Sequence, residues 1–542
     1  MNFKENESAT KLRGGYYTDP EIAAFLLRWV LQIRPERILE PSCGDGVFFR
    51  ALGMLENGFV RSVKGFEILS DEANKSKEAA ALLPSKRVEV YTGDFLEWAL
   101  RHFSCPPAFD AVVGNPPFIR YQYLEPELQK RSEKLFKLLH LPFTKHTNAW
   151  VPFVAASIHM LRPGGRLAMV VPSEILHVLH AQSLRTFLSR ECSKILIFDP
   201  VEIWFEDTLQ GAMLLLAEKK ENKETYSRGV GIIATRTRTF LQDDPEWFFR
   251  NTDYANGETI KGKWMPALLS RSERDIMNSV SDRPGVHRFG EIADVAVGIV
   301  TGANKFFLVP NDTVEKYGLE KWAHPMFGRS EHVPGVIYDE EIHAENERKG
   351  LPTNFIWFRD ERKNDLPRSV QRYIELGEAD ELPRRYKCRI REPWYSVPSV
   401  YSTSVSMLKR CHDYPRLIFN KIKVFTTDTA YRIKSNSFAP DQLVHSFVNS
   451  LTALSAELEG RHYGGGVLEL VPSEIRKLLI PSPLADGGAV YDLDRMIRAE
   501  TDPPAIMEMQ DSILLKNAGF SKAEREELLN AWLKLRARRH RE

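Results

Sequence analysis

At 542 residues the chain is too long for a single ordinary hydrophobic core, and at least two domains are expected. No apolar run approaches the roughly 20 residues that span a bilayer, no basic-then-apolar leader follows Met1, and the five cysteines (Cys43, Cys105, Cys192, Cys388, Cys411) are scattered without a Cys-x-x-Cys pair; this argues against a membrane span, secretion, a disulfide framework and a zinc site, and it fits a reducing cytosol with no bound metal. The net charge of +1 favours no class of partner, because a nucleic-acid enzyme concentrates its positive charge on one face.

In chain order, Thr18-Asp19-Pro20-Glu21 reads as a helix start, with a glutamate three positions after Thr18 and an early proline. Ile22, Phe25, Leu26, Trp29 and Val30 then recur at helical spacing. Arg37 to Glu40 is a short strand ended by Pro41. Further strands are expected at Ser62 to Glu67, Val88 to Tyr91, Phe109 to Val113, Leu167 to Val171, Ile195 to Asp199 and Met213 to Ala217. Pro163-Gly164-Gly165 is a turn just ahead of one of them. Strands alternating with amphipathic helices from Gly15 to about Glu218 predict a parallel α/β sheet. The charged run Glu218 to Glu224 is expected to be an exposed loop, and Val230 to Thr235 a last strand of a first domain placed at 1–250. From about Arg283 aromatic, proline and arginine residues interleave, as in Trp357-Phe358-Arg359, Arg391-Glu392-Pro393-Trp394-Tyr395 and Arg432. A second domain is expected over 283–485. A C-terminal helical segment, 486–542, ends in a helix capped by Ser521 with Glu524 and carrying Arg536, Arg538, Arg539 and Arg541.

The residues suited to chemistry follow the first four strands. Glu40-Pro41-Ser42-Cys43-Gly44-Asp45-Gly46 is a glycine-bearing turn opening a helix, and glycines let the backbone pass close to a nucleotide-like ligand. Glu67 ends the next strand about 20 residues on, the spacing at which a carboxylate holds ribose hydroxyls. The third glycine of the dinucleotide fingerprint is missing, and an ordinary tight α/β turn explains the glycines equally well. After the third strand, Asp94 suits an adenine amine and Phe95 the face of its ring; by themselves the two read more simply as a turn aspartate and a core aromatic. The sharpest feature is Asn115-Pro116-Pro117-Phe118, which follows a buried-type strand directly. The prolines restrict the backbone and remove its donors, so its carbonyls serve as fixed acceptors. The Asn115 side-chain oxygen and the Pro116 carbonyl suit the two hydrogens of an aryl amine, whose localised lone pair then attacks a sulfonium methyl group. Such catalysis is positioning and electrostatics, without a covalent enzyme intermediate. Phe118 suits stacking on an extruded base.

Asn-Pro-Pro-Phe after the fourth strand, with the other elements in this order over residues 14–218, resembles the gamma-class DNA adenine-N6 methyltransferases of type II restriction–modification systems. The resemblance implies a Rossmann-like S-adenosylmethionine-dependent methyltransferase sheet followed by a mixed α+β target-recognition domain. It implies that Tyr17 and Thr18 contact the methionine moiety, and that Glu40, Pro41, Gly44 and Gly46 line the cofactor loop. Glu67, with Ile68 beside it, would bind the ribose, and Asp94 and Phe95 the cofactor adenine. A second aromatic against the flipped base is implied as well, best matched by Phe205 in Trp204-Phe205-Glu206-Asp207. Val297 to Phe307 is similar to the opening of the family's specificity domain, and Gly464-Gly465-Gly466-Val467-Leu468 with Pro472-Ser473-Glu474 to its closing part. Phe118 stands where many members have tyrosine, which keeps the stacking and drops a hydroxyl contact.

A methyl-transfer sheet needs only about 220 residues, so the remainder is expected to grip and read duplex DNA. Arg384-Arg385-Tyr386-Lys387 and Lys421-Ile422-Lys423 supply cationic and aromatic groups for that task. The expectation is a monomeric prokaryotic cytoplasmic enzyme acting on double-stranded DNA, with a separate cognate restriction endonuclease as candidate partner. Competing readings are methylation of an RNA adenine or a protein glutamine through the same motif, and a specificity subunit without catalysis. A fused nuclease is not expected, since no carboxylate–lysine constellation is evident in the tail and the motifs begin at about Gly15.

Overall fold

The computed structural model describes residues 17–83, 87–200, 211–222, 225–256, 262–484 and 488–541. They form two compact units, the first reaching Arg271 and the second running Ser272–His540. The division falls in the stretch between 250 and 283 that composition left unassigned. The segment from 486 onward is not set apart, because its helices pack within the second unit.

In the first unit, helix α1 (Pro20–Leu31) is capped by Asp19 and not by Thr18: an Asp19 carboxylate oxygen accepts the Glu21 N–H at 2.8 Å, with Pro20 in the first helical turn. A carboxylate at the positive end of the helix dipole is a stronger acceptor than the neighbouring hydroxyl. Ile22, Phe25, Leu26, Trp29 and Val30 are all fully buried, as their period predicts.

The eight strands β1 (Arg37–Glu40), β2 (Ser62–Glu67), β3 (Arg87–Thr92), β4 (Phe109–Gly114), β5 (Leu161–Pro172), β6 (Cys192–Pro200), β7 (Ala212–Lys219) and β8 (Val230–Thr235) share one sheet in the order β3-β2-β1-β4-β5-β7-β6-β8. Its neighbours pair in parallel except at β7, which runs antiparallel to β5 and β6. The expected parallel sheet takes in one antiparallel strand there. The stretch 201–211 between β6 and β7 is shorter than the dozen or so residues a parallel crossover needs. Helices α2 (Val47–Gly53), α3 (Ser70–Ala80), α4 (Phe95–Arg101) and α5 (Pro126–Leu138) alternate with the early strands. The chain steps outward from β1 through β2 to β3, then returns to lay β4 on the other side of β1. In such a sheet the ligand crevice opens at the carboxyl ends of the strands, where the order reverses. Here that point is between β1 and β4.

The second unit is mixed α+β. One sheet orders Ala293–Val297, Ala430–Ser435, Val405–Leu408, Leu417–Asn420 and Ile337–Tyr338, and a second is built from Leu308–Val309, Asn354–Ile356, Ala323–Phe327 and Phe425–Thr426. An aromatic-rich core includes Phe306, Phe307, Phe355, Phe358 and Tyr373. The final helix, Lys522–His540, starts at the expected capping box: the Ser521 hydroxyl accepts the Glu524 N–H at 3.2 Å, and the Ser521 N–H donates to the Glu524 carboxylate at 2.8 Å. Arg539 is not part of a free basic tail. Its guanidinium donates to Glu457 at 2.8 Å with both side chains shielded from solvent.

Candidate active site

The carboxyl ends of β1 to β4 bring most of the predicted residues together. β1 pairs with β4, Ile38 beside Ala111 and Leu39 beside Val112, so the Glu40–Gly46 turn and the Asn115–Phe118 segment leave the sheet side by side. A side chain at Gly114 would stand 3.4 Å from the Pro41 ring, and the Ser42 hydroxyl donates to the Asn115 carbonyl at 2.9 Å. Glu67, at the end of β2, accepts the Gly44 N–H with one oxygen and the Leu69 N–H with the other, both at 3.0 Å. Ile68 beside it is 66% exposed, a large apolar side chain presented to solvent next to the carboxylate.

The two glycines divide the work of the turn. Gly44 (φ +49°) has open space where a side chain would begin. Gly46 (φ +84°) has none: a Cβ there would lie 2.7 Å from the Ala79 Cβ and 3.0 Å from the Ser76 Cα, so its bareness seats α2 against α3. Glu40 is the electrostatic anomaly. It is 1% exposed, and among the described residues neither carboxylate oxygen has a hydrogen-bond partner. Burial, reinforced by Asp45 and Glu67 and opposed in part by Arg50, holds its carboxyl well above the ordinary carboxylate range. An unpartnered buried acid costs free energy that a cationic ligand offsets. S-adenosylmethionine carries an ammonium and a sulfonium, so the donor-and-acceptor set of this turn fits it.

Tyr17 is exposed and donates its hydroxyl to Glu72 at 3.0 Å; burial and Glu72, with Asp45 a weaker influence, raise its phenol, which places it at the rim of the turn. Thr18 next to it is buried. Asp94 is more heavily committed than its motif suggests. One oxygen caps α4, accepting the Leu96 and Glu97 N–H groups at 2.6 and 3.2 Å, and the other accepts Arg131 of α5 at 2.7 Å. Arg131 also reaches Glu97 at 3.3 Å. The Phe95 ring is 1% exposed and packs on Phe66 and Phe153 with centroids 5.5 and 5.6 Å away. It is spent on the interior, and Ile68 is the exposed apolar surface near the ribose-type carboxylate. Phe205 and its neighbour Trp204 lie outside the described residues.

Asn115, Pro117 and Phe118 are half-buried and Pro116 is buried; the Asn115 side-chain oxygen is screened from solvent. Among the described residues the Pro116 carbonyl accepts no hydrogen bond. The segment is braced from behind. Asn148, 5% exposed, accepts the Tyr121 N–H at 2.9 Å and donates to Glu174 at 2.8 Å, while the Ile119 carbonyl accepts the Ala149 N–H at 3.0 Å. Sequence reasoning assigned no role to Ser42, Arg131 or Asn148. Their partners are distant in the chain, and no period or motif marks them. As for metals, one group among the described residues, His412, Asp413 and His540 of the second unit, places candidate ligand atoms within 4.8 Å of one another. Arg536 holds Asp413 at 2.6 Å and Arg539 donates to the His412 and Asp413 carbonyls, so cationic side chains already fill that corner. The cysteines are free thiols.

Residues 63–204 match the Eco57I restriction-modification methylase family, and residues 261–515 match the C-terminal domain of the type II methyltransferase M.Eco57I. The chain belongs to the type II restriction–modification methylases of the gamma class, DNA methyltransferases whose cofactor is S-adenosylmethionine. It is 22% identical over 485 residues to the type II methyltransferase M.AccI of Acinetobacter calcoaceticus, covering 85% of this chain and 84% of that one. It is 25% identical to M.HindII of Haemophilus influenzae, with 56% of each chain covered. It is 26% identical to RM.Eco57I of Escherichia coli, a type II restriction enzyme and methyltransferase of which it spans 27%. The protein in a cryoEM DrdV–DNA complex shares the fold with a TM-score of 0.50 at 12% identity, over 91% of this chain and 58% of that one. No helix among the described residues is long and apolar enough to cross a membrane.

Proposed function

We propose that the chain transfers a methyl group from S-adenosylmethionine to N6 of an adenine flipped out of duplex DNA, and so protects that DNA in a restriction–modification system. The supporting observation is the junction at the β1/β4 reversal, where a turn holding an unpartnered buried acid lies against the Asn-Pro-Pro-Phe segment and is tied to it through Ser42 and Asn115. In this reading the Asn115 side-chain oxygen and the Pro116 carbonyl each accept one hydrogen of the target amine. Gripping both hydrogens localises the nitrogen lone pair, and the rigidity conferred by Pro117 means little reorganisation is needed at the moment of reaction. The bound cofactor supplies an electrophilic methyl group, which the nitrogen accepts as a neutral thioether departs and a proton passes to water. Phe118 stacks on the extruded base in place of its lost neighbours, with Phe205 the candidate for its other face. Glu40 and Gly44 hold the cationic end of the cofactor with Tyr17, Thr18 and Pro41 around it, Glu67 the ribose, and Ile68 with Asp94 the adenine. The enzyme acts as a monomer in the prokaryotic cytoplasm, and a separate endonuclease would recognise the same sequence.

Incubation with radiolabelled cofactor and plasmid DNA, total RNA or cell protein tests the substrate class. Long-read sequencing of DNA from expressing cells then reads the modified base with its context. Label in DNA as N6-methyladenine at one sequence is expected. Label confined to RNA or protein, or a methylated cytosine in DNA, overturns the proposal.

A further inference from the structure

Two arginines that sit among aromatic residues in the sequence turn inward in the second unit. Arg391 donates to the Thr301 and Val300 carbonyls, each at 2.7 Å. Arg432 donates to the Val297 carbonyl at 2.6 Å and to the Ser399 and Tyr401 carbonyls at 2.8 and 3.3 Å, and its guanidinium lies 3.6 Å from the centre of the Tyr401 ring. Both therefore clamp the turn 297–302. The same turn receives the short helical segment Tyr386–Arg389. Cys388 is fully buried, and Gly302 (φ +82°) is bare where a side chain would meet the Lys387 Cβ at 2.7 Å.

This fastened segment displays a cluster of cations around an exposed aromatic ring. Arg384, Arg385, Tyr386, Lys387, Arg389 and Ile390 are all exposed, Tyr386 by 64%. Some exposed cations elsewhere in the unit have carboxylate partners, as Lys321 has Glu361, Lys349 has Glu345 and Arg495 has Asp492. Among the described residues Arg385, Lys387 and Arg389 form no ion pair, and only Arg384 has one, with Glu381. Lys387 and Arg389 instead flank the Tyr386 ring, 5.5 and 6.0 Å from its centre. Unpaired like charges held close together repel, and a partner of opposite charge relieves that repulsion. A rigid backbone lets several of them engage fixed anions without an ordering cost.

We infer that this platform, the segment 384–390 bolted to the turn 297–302, is the element by which the second unit grips duplex DNA. Arg385, Lys387 and Arg389 contact successive phosphates and Tyr386 packs against the sugar and base edges between them. The inference rests on the reading of the chain as a DNA methyltransferase. It identifies the surface and assigns its cations to sequence-independent affinity, not to base readout.

The test uses the full chain, a duplex bearing the methylated site and an unrelated duplex, with affinities measured by fluorescence anisotropy from 50 to 200 mM salt. The variant is Arg385→Ala/Lys387→Ala/Arg389→Ala. The control, Lys321→Ala/Lys349→Ala/Arg495→Ala, removes the same charge from paired positions. Expected are a loss of about 10- to 100-fold in affinity for both duplexes and a salt slope shallower by about 2 to 3, near 0.9 per phosphate contact. Tyr386→Ala lowers affinity about tenfold with the slope unchanged, in line with stacking contributions. S-adenosylmethionine affinity is retained in all three variants and reports that the chain is folded. Wild-type affinity and slope in the triple variant, or an equal loss in the control, overturn the platform while leaving the methyltransferase reading intact. A wild-type chain that neither binds nor methylates DNA overturns both, and stronger binding to a polyglutamate chain than to either duplex assigns the surface to an acidic protein instead.

Discussion

Replacing Glu40 by glutamine tests the cofactor turn most directly, because two measurable quantities move in opposite directions. An unfolded glutamate titrates near about pH 4.3, whereas the folded Glu40 is held well above that by burial and by Asp45 and Glu67. Between those two values the folded chain keeps a proton that the unfolded chain has released. Stability of the cofactor-free protein therefore falls as pH rises through the window, and levels off above the folded value. Glutamine keeps the shape and removes the charge. Above the folded value, where wild-type Glu40 is ionised, removing its buried charge contributes about 1–3 kcal/mol, which for a domain of this size raises Tm by about 2–4 °C per kcal/mol. The same change deletes a charge-assisted contact to the cationic cofactor, a loss of about 1.5–3 kcal/mol or roughly 10- to 150-fold in Kd. Differential scanning fluorimetry at pH 6 and 8.5, with and without S-adenosylmethionine, reads the first effect. Titration calorimetry in two buffers of different ionisation enthalpy reads the second, with proton release on binding by the wild type and none by the variant. A variant less stable than wild type without cofactor, yet with unchanged cofactor affinity, would refute the assignment of Glu40.

Asn115→Ala is expected to cut single-turnover methyl transfer by at least about 10²- to 10³-fold, the usual cost of one preorganised polar contact, with S-adenosylmethionine affinity within about twofold of wild type; full turnover would contradict the assigned mechanism. Arg131→Ala removes the guanidinium that holds Asp94 and Glu97. A cofactor KM raised about tenfold at constant kcat is expected, with partial rescue by Arg131→Lys, which keeps the charge and loses the planar fork. A fall in Tm without any change in KM would make the contact structural only. In the second unit burial holds Asp511 up at about 7, with one oxygen accepting the Ser450 N–H at 2.9 Å and the other without a partner among the described residues. The folded acid again keeps its proton where the unfolded one has lost it, so denaturant-measured stability should decline from about pH 4 to 7 and Asp511→Asn should flatten that decline. A variant with the wild-type profile would show that another group titrates.

Local features of the chain were legible because they depend on neighbours in sequence. The period of Ile22 to Val30, the strand-then-Asn-Pro-Pro-Phe junction and the reciprocal Ser521–Glu524 cap all rest on contacts within a few residues, and the structure has each of them. The order of the motifs likewise forecast which strand ends would carry the candidate residues. Even here a competition between adjacent residues was misjudged: Asp19, one position from Thr18, takes the cap because its acceptor is charged.

Contacts across long stretches were decided only by tertiary structure. Gly44 and Gly46 are equivalent letters in one turn, yet one faces open space and the other the flank of α3, because only the folded chain puts Ala79 there. Phe95 became core and Ile68 surface although both are apolar residues just beyond a strand. Arg391, Arg432 and Arg539 point into the protein while Arg385 and Arg389 point out of it, a distinction that composition does not encode. An arginine fits either place, and the backbone carbonyls or buried carboxylate that decide the matter come from residues tens to more than a hundred positions away. Whether a charged side chain meets such a partner is fixed by packing at long range, and local sequence rules do not reach that far.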